Sequence, residues 1–155
     1  MVSEGDTAPD FELESERGEI IRLSDLKGKP VVVYFYPKDD TSGCTKQAIA
    51  FTELNASFSG LGVKIIGISP DTAASHEKFK AKYKLNVQLA SDTEKTAARA
   101  YGVWVKKSMY GRQYMGVERS SFLIGADGNI ARVWRKVRVP GHAEQVLEAV
   151  QSLNG

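Results

Sequence analysis

The sequence predicts an α/β fold, with a mixed central sheet flanked by helices and an N-terminal β-hairpin extension. Three observations predict it. Two apolar, β-branched runs, Val31–Tyr36 and Val63–Ser69, bracket a segment whose apolar residues recur at three- and four-residue spacing; this is the pattern of a parallel βαβ crossover. Ser120–Ile124 and Ile130–Trp134 are strand-like and joined through Asp127-Gly128, a hairpin turn signal. Near the start, Phe11–Glu14 and Glu19–Leu23 flank an Arg17-Gly18 turn.

In order, the first strand follows the turn at Pro9. The second leads into a brief helical turn at Ser24-Asp25-Leu26, closed by Gly28. Val31–Tyr36 is apolar on both alternating faces, as a buried central strand must be. Pro37 ends it, because proline has no N–H for the ladder. The next helix opens near Cys44, with Thr41 or Ser42 as its cap. It runs to about Phe58, turning Ala48, Phe51, Leu54 and Phe58 inward, and stops at Ser59-Gly60. Val63–Ser69 is the second buried strand. Pro70-Asp71-Thr72 then starts a helix carrying Phe79 and Tyr83 on one face. Gln88–Ala90 reads as a short strand and Asp92–Tyr101 as a helix capped by Asp92 or Thr93. Val103–Gly116 reads as loop and short hairpin, and His142–Leu153 as a last helix with Val146, Leu147 and Val150 facing in. This order is that of the thioredoxin fold with an N-terminal extension.

Composition narrows the function. The chain has 155 residues, read as one domain over 1–155, enough for a full core without staples. A net charge of +2 does not argue for nucleic acid. The polar start Met1-Val-Ser-Glu-Gly-Asp has no secretory pattern, and no apolar run is long enough to span a membrane. The single cysteine excludes an internal disulfide and fits a reducing, cytoplasmic setting.

That cysteine is the most informative residue. Cys44 falls in the first turn of the predicted helix, where unpaired N–H groups and the positive end of the macrodipole stabilise an anion. A thiol there is expected to ionise more readily than a free one, whose pKa is about 8.5. Thr41 lies one turn earlier, so its hydroxyl can reach the sulfur or what the sulfur attacks. The alternative is a small buried hydrophobe, which many lone cysteines are. The neighbours Gly43 and Thr45 speak for a reactive thiol.

The segment Tyr36-Pro37-Lys38-Asp39-Asp40-Thr41-Ser42-Gly43-Cys44-Thr45-Lys46 resembles the active site of peroxiredoxins, specifically the bacterioferritin-comigratory-protein (Q-type) subfamily. The likeness continues at Gly5–Phe11, Val63–Ser69, Tyr101–Trp104, Lys107–Arg112 and Glu118–Ile124. It implies a thiol-dependent peroxidase acting on hydrogen peroxide and organic hydroperoxides without metal, haem or flavin. Cys44 would be the peroxidatic cysteine, and Thr41 would hydrogen-bond the peroxide. Pro37 would shield the sulfur, and Arg119 would favour thiolate and stabilise charge as the O–O bond breaks. Many members of the subfamily carry a resolving cysteine five residues after the first, where this chain has Ile49. The resemblance therefore implies an external reductant, whether thioredoxin, glutaredoxin or a small thiol, and a monomer or weak dimer. Gln47 stands where the family usually has an acidic residue.

Other readings stand beside this one. A thiol–disulfide oxidoreductase on the same fold would need a second sulfur near Cys44. A non-enzymatic redox sensor or chaperone would use the oxidised thiol as a switch. Taken alone, Arg119 reads as a surface strand residue. Arg132, Arg135, Lys136 and Arg138 read as charge guarding an edge strand. His76 and His142 read as surface residues without metal spacing. Trp104, Met109 and Tyr110 read either as lining an apolar substrate entrance or as packing.

Overall fold

The structure, a computed structural model, describes residues 2–154. Nine strands and four helices follow in order: β1 (Glu12–Ser15), β2 (Ile20–Arg22), β3 (Val31–Phe35), α1 (Ser42–Gly60), β4 (Lys64–Ser69), α2 (Ala73–Tyr83), β5 (Gln88–Ser91), α3 (Thr96–Ala100), β6 (Trp104–Met109), β7 (Arg112–Val117), β8 (Ser120–Ile124), β9 (Ile130–Trp134) and α4 (His142–Asn154). A 3-10 turn at Leu23–Leu26 separates β2 from β3. Seven strands form one sheet in the order β2-β1-β5-β4-β3-β8-β9. The centre, β3, β4 and β5, is parallel, and both sides continue antiparallel, so the sheet is mixed as predicted. The N-terminal hairpin is not a separate appendage, because β1 pairs with β5.

Strand β3 is buried on both faces. Val31, Val33 and Phe35 join one apolar cluster with Ile66, Ile68, Phe122 and Tyr101. Val32, Tyr34 and Tyr36 join the other, under Phe51 and Phe58 of α1, Phe79 of α2, and Val146 and Val150 of α4. Alternation along a strand sends successive side chains to opposite faces. The Tyr34 ring lies over Gly67 of β4, its neighbour in register. A Cβ at Gly67 would come within 2.7 Å of Tyr34 Cζ and OH, so glycine is needed for that approach.

Four local expectations are corrected. The helix expected over Asp92–Tyr101 spans only Thr96–Ala100. Asp92 makes a turn first, and its carboxylate then accepts from the N–H groups of Ala97 and Ala98 across that turn. The hairpin expected within Val103–Gly116 is present, but it takes up the expected loop as well, as a regular two-stranded ribbon, β6–β7, closed by Tyr110-Gly111 with both residues at positive φ. Its tip carries Met109 and Tyr110 into solvent, whereas Trp104 packs against the core. His76 and His142, expected on the surface, are both buried. No helix among the described residues is long and apolar enough to cross a membrane.

Candidate active site

The site forms where β3 ends. After Phe35 and the buried Tyr36, the segment 37–41 turns outward and α1 begins at Ser42. Thr41 holds the N-cap position with extended backbone, but its side chain caps nothing in the helix. Its Oγ1 donates instead to the Lys38 carbonyl at 2.9 Å. The first-turn N–H groups of α1 thus receive no cap from Thr41, and they are left to attract negative charge. Cys44 sits in that first turn, 2% exposed, and belongs to the apolar cluster with Tyr34, Tyr36, Ala48 and Phe51.

Arg119 arrives from the neighbouring strand. β8 runs antiparallel to β3 with Ser120 opposite Phe35, so the residue before Ser120 lies beside the end of β3. The Arg119 guanidinium places Nη2 3.3 Å from Cys44 Sγ. Its Nη1 donates to Gln47 Oε1 at 2.5 Å. One planar cation is therefore held between the thiol and an amide oxygen one turn further along the same helix. Gly43 leaves room for it, since a Cβ there would lie 3.2 Å from Arg119 Nη2. Position 119 is fixed through its backbone, whose carbonyl accepts from Val137 N–H at 2.9 Å.

The surrounding charges leave Arg119 to the sulfur. Glu118, its neighbour, binds Arg135 and Ser120. Burial works against the Glu118 carboxylate, but the hydrogen bonds from Arg135 and Ser120 outweigh it and hold the carboxyl below its usual range. Lys107 of β6 is half-buried, and its ammonium is pushed down by burial and by Arg119, with Cys44 opposing. The Tyr34 phenol is pushed far up, mainly by burial and then by Cys44, so it stays protonated. Its hydroxyl and Gln47 Nε2 are buried without a hydrogen-bond partner among the described residues.

The structure thus brings Cys44 and Arg119 into contact. Thr41 lies close in sequence, with its hydroxyl turned to Lys38, and Pro37 lies half-buried at the strand end. The residues that sequence reading missed are buried polar ones. Gln47 is 1% exposed on the inner face of α1. Below the loop, Asp39, Asp71 and His76 place ligand-type atoms within 4.8 Å of one another. Each is engaged by protein groups: Asp39 with Tyr36 and Ser75, Asp71 with Ser69, and His76 with the Ala90 carbonyl. The basic residues near β9 are partly paired, Arg132 with Glu4 and Arg135 with Glu118.

A thiol at a helix start, touched by a fixed guanidinium, is an arrangement for a nucleophilic thiolate. Known proteins agree. The pattern of the AhpC/TSA family matches residues 4–133. A putative peroxiredoxin bcp of Coxiella burnetii is 47% identical over 146 residues, 94% of this chain and 97% of that protein. Peroxiredoxin Bcp of Bacillus subtilis is 45% identical over 150 residues, 97% and 96% of the two chains. Among solved structures, the Xanthomonas campestris bacterioferritin comigratory protein superposes with a TM-score of 0.90 at 39% identity, covering 94% of this chain and 92% of that one; its complexes bear on alkyl peroxide reduction. A cysteine-to-serine variant of Xylella fastidiosa PrxQ superposes with a TM-score of 0.95 at 34% identity, over 100% and 99% of the chains. By sequence and by fold, the chain belongs to the AhpC/TSA family, as a peroxiredoxin of the Bcp (PrxQ) type and hence a thiol-dependent peroxidase.

Proposed function

We propose that Cys44 is the peroxidatic residue and that this enzyme reduces hydrogen peroxide and organic hydroperoxides with one sulfur. The contact between Cys44 Sγ and Arg119 Nη2, at the start of α1, carries the reading. The Cys44 thiolate attacks the terminal oxygen of the hydroperoxide. An S–O bond forms as the O–O bond breaks; sulfur is oxidised to a sulfenic acid, and the departing alkoxide or hydroxide takes a proton to become alcohol or water. Arg119 stabilises negative charge on sulfur before the step and on the oxygens during it. Thr41 hydrogen-bonds the peroxide and holds it in line, and Pro37 shields the sulfur.

Regeneration follows from the cysteine count. With no second cysteine in the chain, the sulfenic acid cannot close an internal disulfide. An external thiol condenses with it, releasing water and leaving a mixed disulfide. A second thiol then frees Cys44 and leaves as the disulfide of the two. Thioredoxin, glutaredoxin and small thiols all fit this chemistry, in a cytoplasmic monomer or weak dimer.

The test is direct. Reduced protein given one equivalent of hydrogen peroxide and sampled within seconds by intact mass, with a sulfenic-acid trap, should carry a single trapped oxygen on Cys44. Excess thiol should then sustain turnover. Cys44→Ser should fold and show no peroxidase activity, since it removes the nucleophile. A thiol untouched by low micromolar peroxide, or a variant that keeps its activity, would overturn the assignment.

A further inference from the structure

The Lys38–Asp39 peptide group stands between the site and a buried polar network that the steps above do not use. On one side, its carbonyl oxygen accepts from Thr41 Oγ1 at 2.9 Å. On the other, its N–H donates to Asp71 Oδ2 at 2.8 Å. That carboxylate oxygen, just past the end of β4, also accepts from Ser69 Oγ at 2.6 Å. The Asp39 side chain turns into the fold. Its Oδ1 accepts from Tyr36 OH at 2.6 Å, and its Oδ2 accepts from Ser75 Oγ at 2.8 Å and faces His76 Nδ1 at 2.7 Å. His76 is fully buried, with Nε2 3.0 Å from the Ala90 carbonyl oxygen. A carbonyl only accepts, so Nε2 carries a hydrogen.

A peptide group is planar and stiff. Fixing its N–H on Asp71 fixes where its C=O points, and that carbonyl takes the only hydrogen of the Thr41 hydroxyl. Thr41 Oγ1 is then left with lone pairs alone to offer an incoming molecule. We propose that Asp71, backed by Asp39 and His76, is a positioning residue: it aims the Lys38–Asp39 peptide so that Thr41 meets the hydroperoxide as a hydrogen-bond acceptor for its O–H. This rests on the role given to Thr41 above. It assigns work to α2 and to the β4–α2 turn, neither of which hydrogen-bonds the sulfur among the described residues.

The test compares two reactions of Cys44, oxidation by hydrogen peroxide in quench-flow and alkylation by iodoacetamide, which has no O–H to orient. Asp71→Ala should slow oxidation about tenfold, the size of effect a small misplacement produces, and leave alkylation unchanged. Asp71→Asn keeps an acceptor oxygen and should restore oxidation to within about threefold of wild type. Thr41→Val should be slow, and adding Asp71→Ala to it should slow it no further, because the two act through one hydrogen bond. Asp71→Ala oxidising at the wild-type rate would overturn the inference. So would a further tenfold loss in the Thr41→Val background, or alkylation falling together with oxidation. Thr41→Val as fast as wild type would remove the role of Thr41 and this inference with it, while leaving Cys44 and Arg119 in place. Should Asp71→Ala fail to fold, Ser69→Ala loosens Asp71 more gently. A rate loss that vanishes in the Thr41→Val background is then expected, and an unchanged rate counts against the proposal.

Discussion

Two strands of this sheet end in the same way and are put to different uses. β3 runs into Pro37 and then Thr41 at the N-cap of α1; β4 runs into Pro70 and then Thr72 at the N-cap of α2. Both threonines have extended backbone, with φ/ψ of −96°/158° and −75°/163°. Thr72 Oγ1 accepts from Ser75 N–H, as a capping hydroxyl does. Thr41 withholds its hydroxyl from the helix and gives its hydrogen to Lys38. One helix start is closed by its own side chain and is structural. The other is left open toward an anion, with Cys44 in its first turn and Arg119 against the sulfur. The two helix starts differ in where the threonine hydroxyl turns and in whether a cation is brought in.

The largest effect should come from removing the cation. Arg119→Met deletes the guanidinium that binds both the sulfur and Gln47. Oxidation of Cys44 by peroxide should fall about 10³-fold, at the upper end of what one preorganised donor supplies. Arg119→Lys should recover part of this, because a point charge cannot bridge Gln47 and Cys44 as a planar fork does. Quench-flow rates for the two variants decide it, and a methionine variant with the wild-type rate would remove Arg119 from the mechanism.

Next comes the contrast between the threonines themselves. Thr41→Val should lower the peroxide rate about 10²-fold. It should cost under about 0.5 kcal/mol of stability, because no helix N–H loses a partner. Peroxide kinetics together with urea unfolding separate the two quantities. A large loss of stability at Thr41 would mean that it caps α1 after all.

Much of this was legible in the sequence, and the misses share one cause. β3, β4, the crossover and the Asp127-Gly128 hairpin announce themselves through local apolar runs and turn chemistry. The Cys44 loop is legible because its parts lie within one stretch. Arg119 was recognised through resemblance, since its contact with Cys44 spans 75 residues and no local pattern carries it. His76 and His142 read as surface residues because polar residues default there, and Gln47 reads only as a departure from the family pattern. Yet each sits on an apolar stripe: Gln47 with Phe51 and Phe58, His76 with Phe79 and Tyr83, His142 with Val146 and Val150. A polar residue at an inward helical position has a buried partner to find, and here the partners are Arg119, Asp39 and Ser121. Thr41 is found at the N-cap, as the sequence reading has it, but without a capping bond from its side chain. The sequence marks the cap position, and only the fold shows where the hydroxyl turns.

His142 extends the comparison to a third helix start. It is the first residue of α4, buried, with Nε2 2.8 Å from Ser121 Oγ. Burial, helped by Arg119, pushes its imidazole down to about 4. In the unfolded chain it titrates near about 6.5. Between these values the unfolded state binds a proton that the folded state refuses, so stability falls as pH drops through this window. The loss should reach about 2 kcal/mol by pH ~4.5, after allowance for partial solvation. Urea unfolding at neutral and acid pH should show this dependence in wild type and a shallower one in His142→Gln. Equal slopes would place the acid sensitivity elsewhere.

The smallest effect is the most diagnostic for the comparison. Thr72→Ala removes the acceptor of Ser75 N–H and nothing else that Thr72 holds. A lost N-cap costs about 1 kcal/mol, which in a domain of this size lowers Tm by about 2–4 °C. The peroxide rate should stay within about threefold of wild type, because the lost bond lies within α2 and its cap. Ser75 also donates to Asp39, so the variant has one route to the site, through the network beneath the loop. A rate that falls in step with Thr41→Val would mean that this route is stiff enough for a cap on α2 to steer the hydroxyl on α1. The two helix starts would then act as one unit. A loss of stability with the rate intact would keep them separate, with one threonine holding a helix and the other leaving its helix open.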